Sequence, residues 1–160
     1  MVRIVVQTHH ITEDTLEDMH LTTFLIADHA EACNGKLYIT GGCWDTLFAG
    51  DFPIRHPHLS IAAALHVPWR ATNQSHTIAV DLVDEDGNSI LPESIQGRFE
   101  AGRPPGMRPG DNSNLVLVFN IDGLIVEKPG PYQWVFMVDG TDLGRIGFKV
   151  VEHKVPTLTG

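Results

Sequence analysis

The chain has 160 residues, of which 42% are hydrophobic and 19% charged, and its 20 acidic side chains against 11 basic ones give a formal charge of −9. This balance excludes a disordered chain. The acidic excess argues against nucleic acid or an anionic membrane surface as a partner, since both are held chiefly through basic side chains.

The first residues, MVRIVVQTHHITED, hold one basic residue and an apolar stretch of three. That is too short for a signal peptide or a membrane span, and no later stretch is long enough either, so a soluble, cytoplasmic protein is expected. Residues 1–20 read as an N-terminal extension. Within it, TEDTLEDMH (12–20) is the one helical candidate, with Thr12 as cap and acidic residues in the first turn; an extended acidic arm is the alternative.

The next stretch, FLIADHAEACNGKLYITGGCWD, centres on Asn34-Gly35, the strongest short signal for a two-residue hairpin. Such a loop sets the register: Cys33 faces Lys36, Ala32 Leu37, Ala30 Ile39, Asp28 Gly41 and Ile26 Cys43. One face then collects Phe24, Ile26, Ala30, Ala32, Leu37, Ile39 and Cys43. The other collects Leu25, Ala27, His29, Glu31, Cys33, Lys36, Tyr38 and Trp44. Asp28 and His29 therefore point to opposite faces and cannot share an ion. The two cysteines lie roughly 20 Å or more apart, beyond disulfide reach. Asp28 lies opposite a glycine on the apolar face, where a carboxylate needs backbone donors or the sheet end.

Period-two alternation continues along the chain. Leu59, Ile61, Ala63, Leu65 and Val67 share one face, as do Ile78, Val80 and Leu82. Ile95, Gly97, Phe99 and Ala101 follow, then Leu115, Leu117, Phe119 and Ile121, then Tyr132, Trp134, Phe136 and Val138, and finally Ile146, Phe148 and Val150. The Pro- and Gly-rich segment 101–114 is expected to cross between sheets. Seven or more strands, spaced too closely for helical crossovers, predict an all-β fold: a two-sheet antiparallel β-sandwich, immunoglobulin-like or jelly-roll-like, over residues 21–153 with a tail at 154–160.

The hairpin stretch, together with VPW (Val67 to Trp69), LVDEDG (Leu82 to Gly87), RPPG (Arg103 to Gly106) and GPYQWVFMVDG, resembles a family of uncharacterised bacterial and phage-associated proteins that bears only a domain-of-unknown-function label. The likeness runs from about residue 22 to 150. It implies a β-sandwich, with a virion as the location if the chain is phage-derived, and transfers no activity and no catalytic residues.

Candidate sites are weighed against plainer readings. His29 and Glu31 share a strand face, and His56-Pro57-His58 places two imidazoles two residues apart, so these four residues are the candidate metal ligands. His9, His10, His20, His66, His76 and His153 are the available additions; scattered surface histidines are the plainer reading. Arg98, Arg103 and Arg108 flank the proline-rich loop and suit a small anion, nucleotide-like, or a partner's carboxylate. Local pairing with Glu100 or Asp111 is the plainer reading. Trp44, Trp69 and Tyr38 are candidate partner-binding residues, whereas Trp134 reads as core. Asp84-Glu85-Asp86-Gly87 reads as a turn, since Leu82 would occupy the first ligand position of a calcium loop. No serine has a nucleophile-elbow context, and Cys33 beside its turn has no histidine paired with it by the sequence. No catalytic residue and no cofactor are assigned.

The leading expectation is a non-enzymatic binding or assembly module that engages a protein partner or copies of itself, as part of a phage-like particle or a homo-oligomer. A binder of a small anionic ligand and a metal-dependent hydrolase are the alternatives.

Overall fold

A computed structural model describes residues 18–154. Among them run nine strands: β1 (His20–Cys33), β2 (Lys36–Gly42), β3 (Thr46–Ala49), β4 (Ile54–Val67), β5 (Ser75–Val83), β6 (Ile95–Glu100), β7 (Ser113–Val126), β8 (Gly130–Val138) and β9 (Thr141–Glu152). They form a four-stranded sheet, β2-β1-β4-β7, and a five-stranded sheet, β3-β9-β8-β5-β6. The only helix among the described residues is the 3-10 turn Trp69–Ala71. No helix there is long and apolar enough to cross a membrane.

The alternating residues build the core from both sheets. Leu59, Ile61, Ala63, Leu65 and Val67 of β4 are fully buried, and Val80, Leu82, Trp134 and Phe136 meet them from the five-stranded sheet. Phe24 and Phe119 contact the Phe136 ring edge-on, at 5.5 and 6.3 Å between centroids. Segment 101–114 leaves β6 in one sheet and enters β7 in the other, the expected crossing.

The hairpin follows the predicted register. Cys33 faces Lys36, Ala32 faces Leu37 and Ala30 faces Ile39. The Cys43 N–H donates to the Ile26 carbonyl at 2.8 Å. Asn34 and Gly35 have φ of 50° and 70°, the two left-handed residues the turn demands.

Other features depart from expectation. β3 pairs with β9 in parallel, Thr46 beside Lys149 through Ala49 beside Glu152. Four residues are too few to display an alternation, and the partner lies about a hundred positions away. β4 and β7 have 14 residues each, longer than their apolar runs. His20 opens β1 rather than closing a helix; residues 12–17 of the predicted helix lie outside the described residues.

β4 also turns over partway. Cross-strand partners run His58 with Asp122 and His56 with Leu124, and the intervening Pro57 has no N–H with which to bond. Opposite it lies Gly123 at φ +66°, where an added Cβ would stand 2.6 Å from Arg55 Nε. Beyond this point the inward positions of β7 shift from Phe119 and Ile121 to Leu124 and Val126, and Ile125 becomes exposed. His58 consequently faces outward with Asp122, while His56 faces inward.

Candidate functional site

The outward faces of β1, β4 and β7 lie side by side and bring distant polar residues together. His29 and Glu31 come from β1, His58 and Ser60 from β4, and Asn120 and Asp122 from β7. Asp122 Oδ1 lies 2.6 Å from His58 Nδ1. His58 Nε2 lies 3.4 Å from His29 Nδ1, and His29 Nε2 lies 3.3 Å from Glu31 Oε1. Ser60, fully buried beneath the rings, accepts the Ala30 N–H at 3.0 Å and donates to Asn120 Oδ1 at 2.5 Å. Its Oγ is 3.5 Å from His58 Nε2. The result is a continuous chain of polar groups with a carboxylate at each end.

The four predicted metal residues are thus divided. His29 and His58 meet nitrogen to nitrogen, and Glu31 bonds the far nitrogen of His29. His56 belongs elsewhere: its ring lies edge-on to Trp44 at 6.2 Å and lines a shallow depression with Asp28, Gly41, Gly42 and Leu47. The turnover at Pro57 separates it from His58. Burial lowers the His56 pKa, against the raising influence of a His58 backbone hydrogen bond and the Asp28 charge. Asp28 stands over Gly41 so closely that a Cβ there would meet its Oδ2 at 2.1 Å. Among the described residues no group of three or more His, Cys, Asp or Glu side chains is placed to hold a metal ion.

The three arginines occupy different settings. The Arg103 guanidinium lies 3.8 Å above the Trp69 ring, and its Nε donates to Thr72 Oγ1 at 2.5 Å and Nη2 to the Trp69 carbonyl at 3.1 Å. Both Arg103 and Trp69 are therefore engaged with each other. Arg98 faces Thr77 across β5 and β6, and Arg108 offers its backbone N–H to Asp111. Trp44 departs from its predicted outward position. Cys43, at φ +65°, ends the alternation, so Trp44 turns against the core ring of Phe148 at 5.9 Å. Tyr38 stays exposed, as expected. Asp84 closes the predicted turn, its Oδ1 accepting the N–H groups of Asp86 and Asn88. Those backbone donors hold its carboxyl below the usual carboxylate range. Cys33 and Cys43 are both free and exposed.

His76 was visible in the sequence only as one histidine among nine. It is buried, with Nδ1 2.7 Å from Asp139 Oδ2 and Nε2 2.8 Å from the Ala71 carbonyl. Asp139 sits in the tight turn between β8 and β9, and the pairing of β5 with β8 brings it to His76. Only that strand order, which periodicity does not reveal, would have found the pair.

A cavity of about 590 Å³ opens where β7 passes the 84–92 loop. Ile90, Leu91, Leu124 and Tyr132 line its wall, and Asp84, Asp122 and Glu127 stand with Lys128 around it.

Fold and site together define a two-sheet β-sandwich with a polar, histidine-bearing patch on the outer face of its smaller sheet. The chain belongs to the family of unknown function DUF6941, whose model matches residues 22–151. No curated protein matches it. Among solved structures it is similar to part of the Pseudomonas fluorescens alkylpurine DNA glycosylase AlkC bound to DNA containing an abasic site analog. The identity is 11% and the TM-score 0.38, over 82% of this chain and 30% of that one. It is also similar to part of a β-glucosidase from Listeria innocua in complex with gluconolactone, at 10% identity and a TM-score of 0.43, over 86% and 16%. The chain spans less than a third of either protein, and neither likeness bears on activity.

Proposed function

We propose that this protein is a non-enzymatic binding and assembly module that joins a second copy of itself through the open edge of β2. The observation that carries this reading is the edge strand itself. Among the described residues β2 bonds β1 on one side only, and Tyr38 and Ile39, on opposite faces of the strand, are 55% and 39% exposed. An unpaired apolar edge is a template for strand addition. The sequence of β2 suits pairing with itself. In an antiparallel register centred on Tyr38, Leu37 of each copy lies beside Ile39 of the other, and the two Tyr38 rings meet on the opposite face. Cross-strand pairs of this kind are favourable. A homo-oligomer in the cytoplasm, or a repeated subunit of a phage-like particle, is the setting this role fits.

The anion-binding alternative has less behind it, because Arg103 is engaged with Trp69 and Thr72 and the cavity beside the 84–92 loop carries acidic residues. Light scattering on the full chain tests the proposal. A mass of two or more copies, reduced to one by Tyr38→Glu with Ile39→Lys at unchanged circular dichroism, is expected. A monomer at every concentration overturns it.

A further inference from the structure

On the outer face of the four-stranded sheet, we infer that His29 Nδ1, His58 Nε2 and Ser60 Oγ form a binding site for one borderline-soft divalent metal ion, with zinc as its representative. The argument follows the protons. Asp122 and Glu31, as carboxylates, only accept, so the imidazole nitrogens facing them, His58 Nδ1 and His29 Nε2, carry the hydrogens. That leaves His29 Nδ1 and His58 Nε2 as lone pairs turned toward each other across 3.4 Å. Ser60 adds a third. Its hydrogen goes to Asn120 and one lone pair takes the Ala30 N–H, so what it presents to His58 Nε2 at 3.5 Å is its remaining lone pair.

With both rings neutral, His29 Nδ1 and His58 Nε2 face each other as electron-pair donors with no hydrogen between them, Ser60 Oγ stands beside His58 Nε2 as a third, and a cation satisfies them. The spacing suits a metal. Two nitrogens each about 2.0–2.1 Å from a tetrahedral zinc lie roughly 3.4 Å apart. Imidazoles whose outer N–H is held by a carboxylate are the usual second layer of a zinc site, fixing tautomer and ring orientation. Here both rings have one. The third protein donor is a hydroxyl, so only two ligands of a customary type converge, both imidazoles, and water completes the coordination at this half-exposed surface. The ion would bridge β1 to β4, two strands already paired, so it needs no rearrangement of the fold.

Calorimetric titration of zinc chloride into the full chain tests the site. One equivalent of saturable binding is expected. His29→Ala or His58→Ala should weaken it by a factor of ten or more, and Asp122→Asn by ten to a hundred, the range for an outer-layer carboxylate. His56→Ala and the double change His9→Ala with His10→Ala should leave it intact. Nitrogen-15 spectra of the unmutated protein give a second readout, in which zinc should move His29 Nδ1 and His58 Nε2 and spare His76. Absence of saturable binding, or binding indifferent to both His29→Ala and His58→Ala, overturns the inference and leaves the edge-strand reading untouched.

Discussion

The His76 ring is enclosed by acceptors: the Asp139 carboxylate on one nitrogen and the Ala71 carbonyl on the other, with Phe99 stacked at 5.2 Å. Burial disfavours its charge, but the Asp139 hydrogen bond, the Ala71 carbonyl and the Asp139 charge outweigh that and raise its pKa above 6.5. Asp139 is lowered below 3.8 in return, by His76 first and then by the Thr77 N–H. A raised histidine gives stability that is complete below the unfolded value of about 6.5 and is lost as pH climbs through the folded value. The lowered carboxyl gives stability present above about 3.8 and lost as acid protonates it. Asp139→Asn should therefore cost about 1–2 kcal/mol near pH 6, discounted because Asp139 is half-exposed, and much less near pH 9. Urea unfolding at the two pH values measures both, and an equal loss at each would show that the charge plays no part.

At the scale of the element, two glycines fix the shape of the four-stranded sheet. Gly41 has φ +61° with Asp28 Oδ2 in the place of its missing Cβ, and Gly123 has φ +66° under the Arg55 guanidinium. Gly41→Ala should destabilise by about 1–3 kcal/mol, from left-handed strain and displacement of Asp28, as read by the urea midpoint at unchanged slope. Gly123→Ala should cost a similar amount and disturb the turnover that keeps His58 outward. Here the limits of sequence reading become physical. The hairpin was legible because Asn34-Gly35 sets a register locally, and alternation then assigns His29 and Glu31 to one face. The separation of His56 from His58 was not, because it needs Pro57 to lie opposite a glycine 66 positions later. The convergence of His29, His58, Ser60 and Asp122 was hidden for the same reason: each strand shows its own face, but which strands are neighbours is decided by packing. Trp44 escaped prediction because Cys43 breaks the alternation with a positive φ that a cysteine seldom adopts.

For the whole molecule, the two sheets are stable only against each other. Trp134 is fully buried between them with its indole N–H unpartnered, so its role in the fold is apolar packing. Trp134→Ala should remove about 3–5 kcal/mol, a large part of the stability of a domain this size, and lower the thermal midpoint by many degrees in calorimetry. Trp134→Phe should recover a substantial part of that loss, since most of the apolar volume returns.

The parallel pairing of β3 with β9 has a consequence for how the protein is made. β3 precedes most of the strands, yet its only sheet neighbour among the described residues is the 12-residue β9, about a hundred positions later. The four-stranded sheet is complete once β7 has left the ribosome, but its apolar side has no finished counterpart until β9 follows. Nascent chains stalled after Gly140 should be digested readily by protease, and chains released past Glu152 should resist, so the native state is reached only once β9 has emerged.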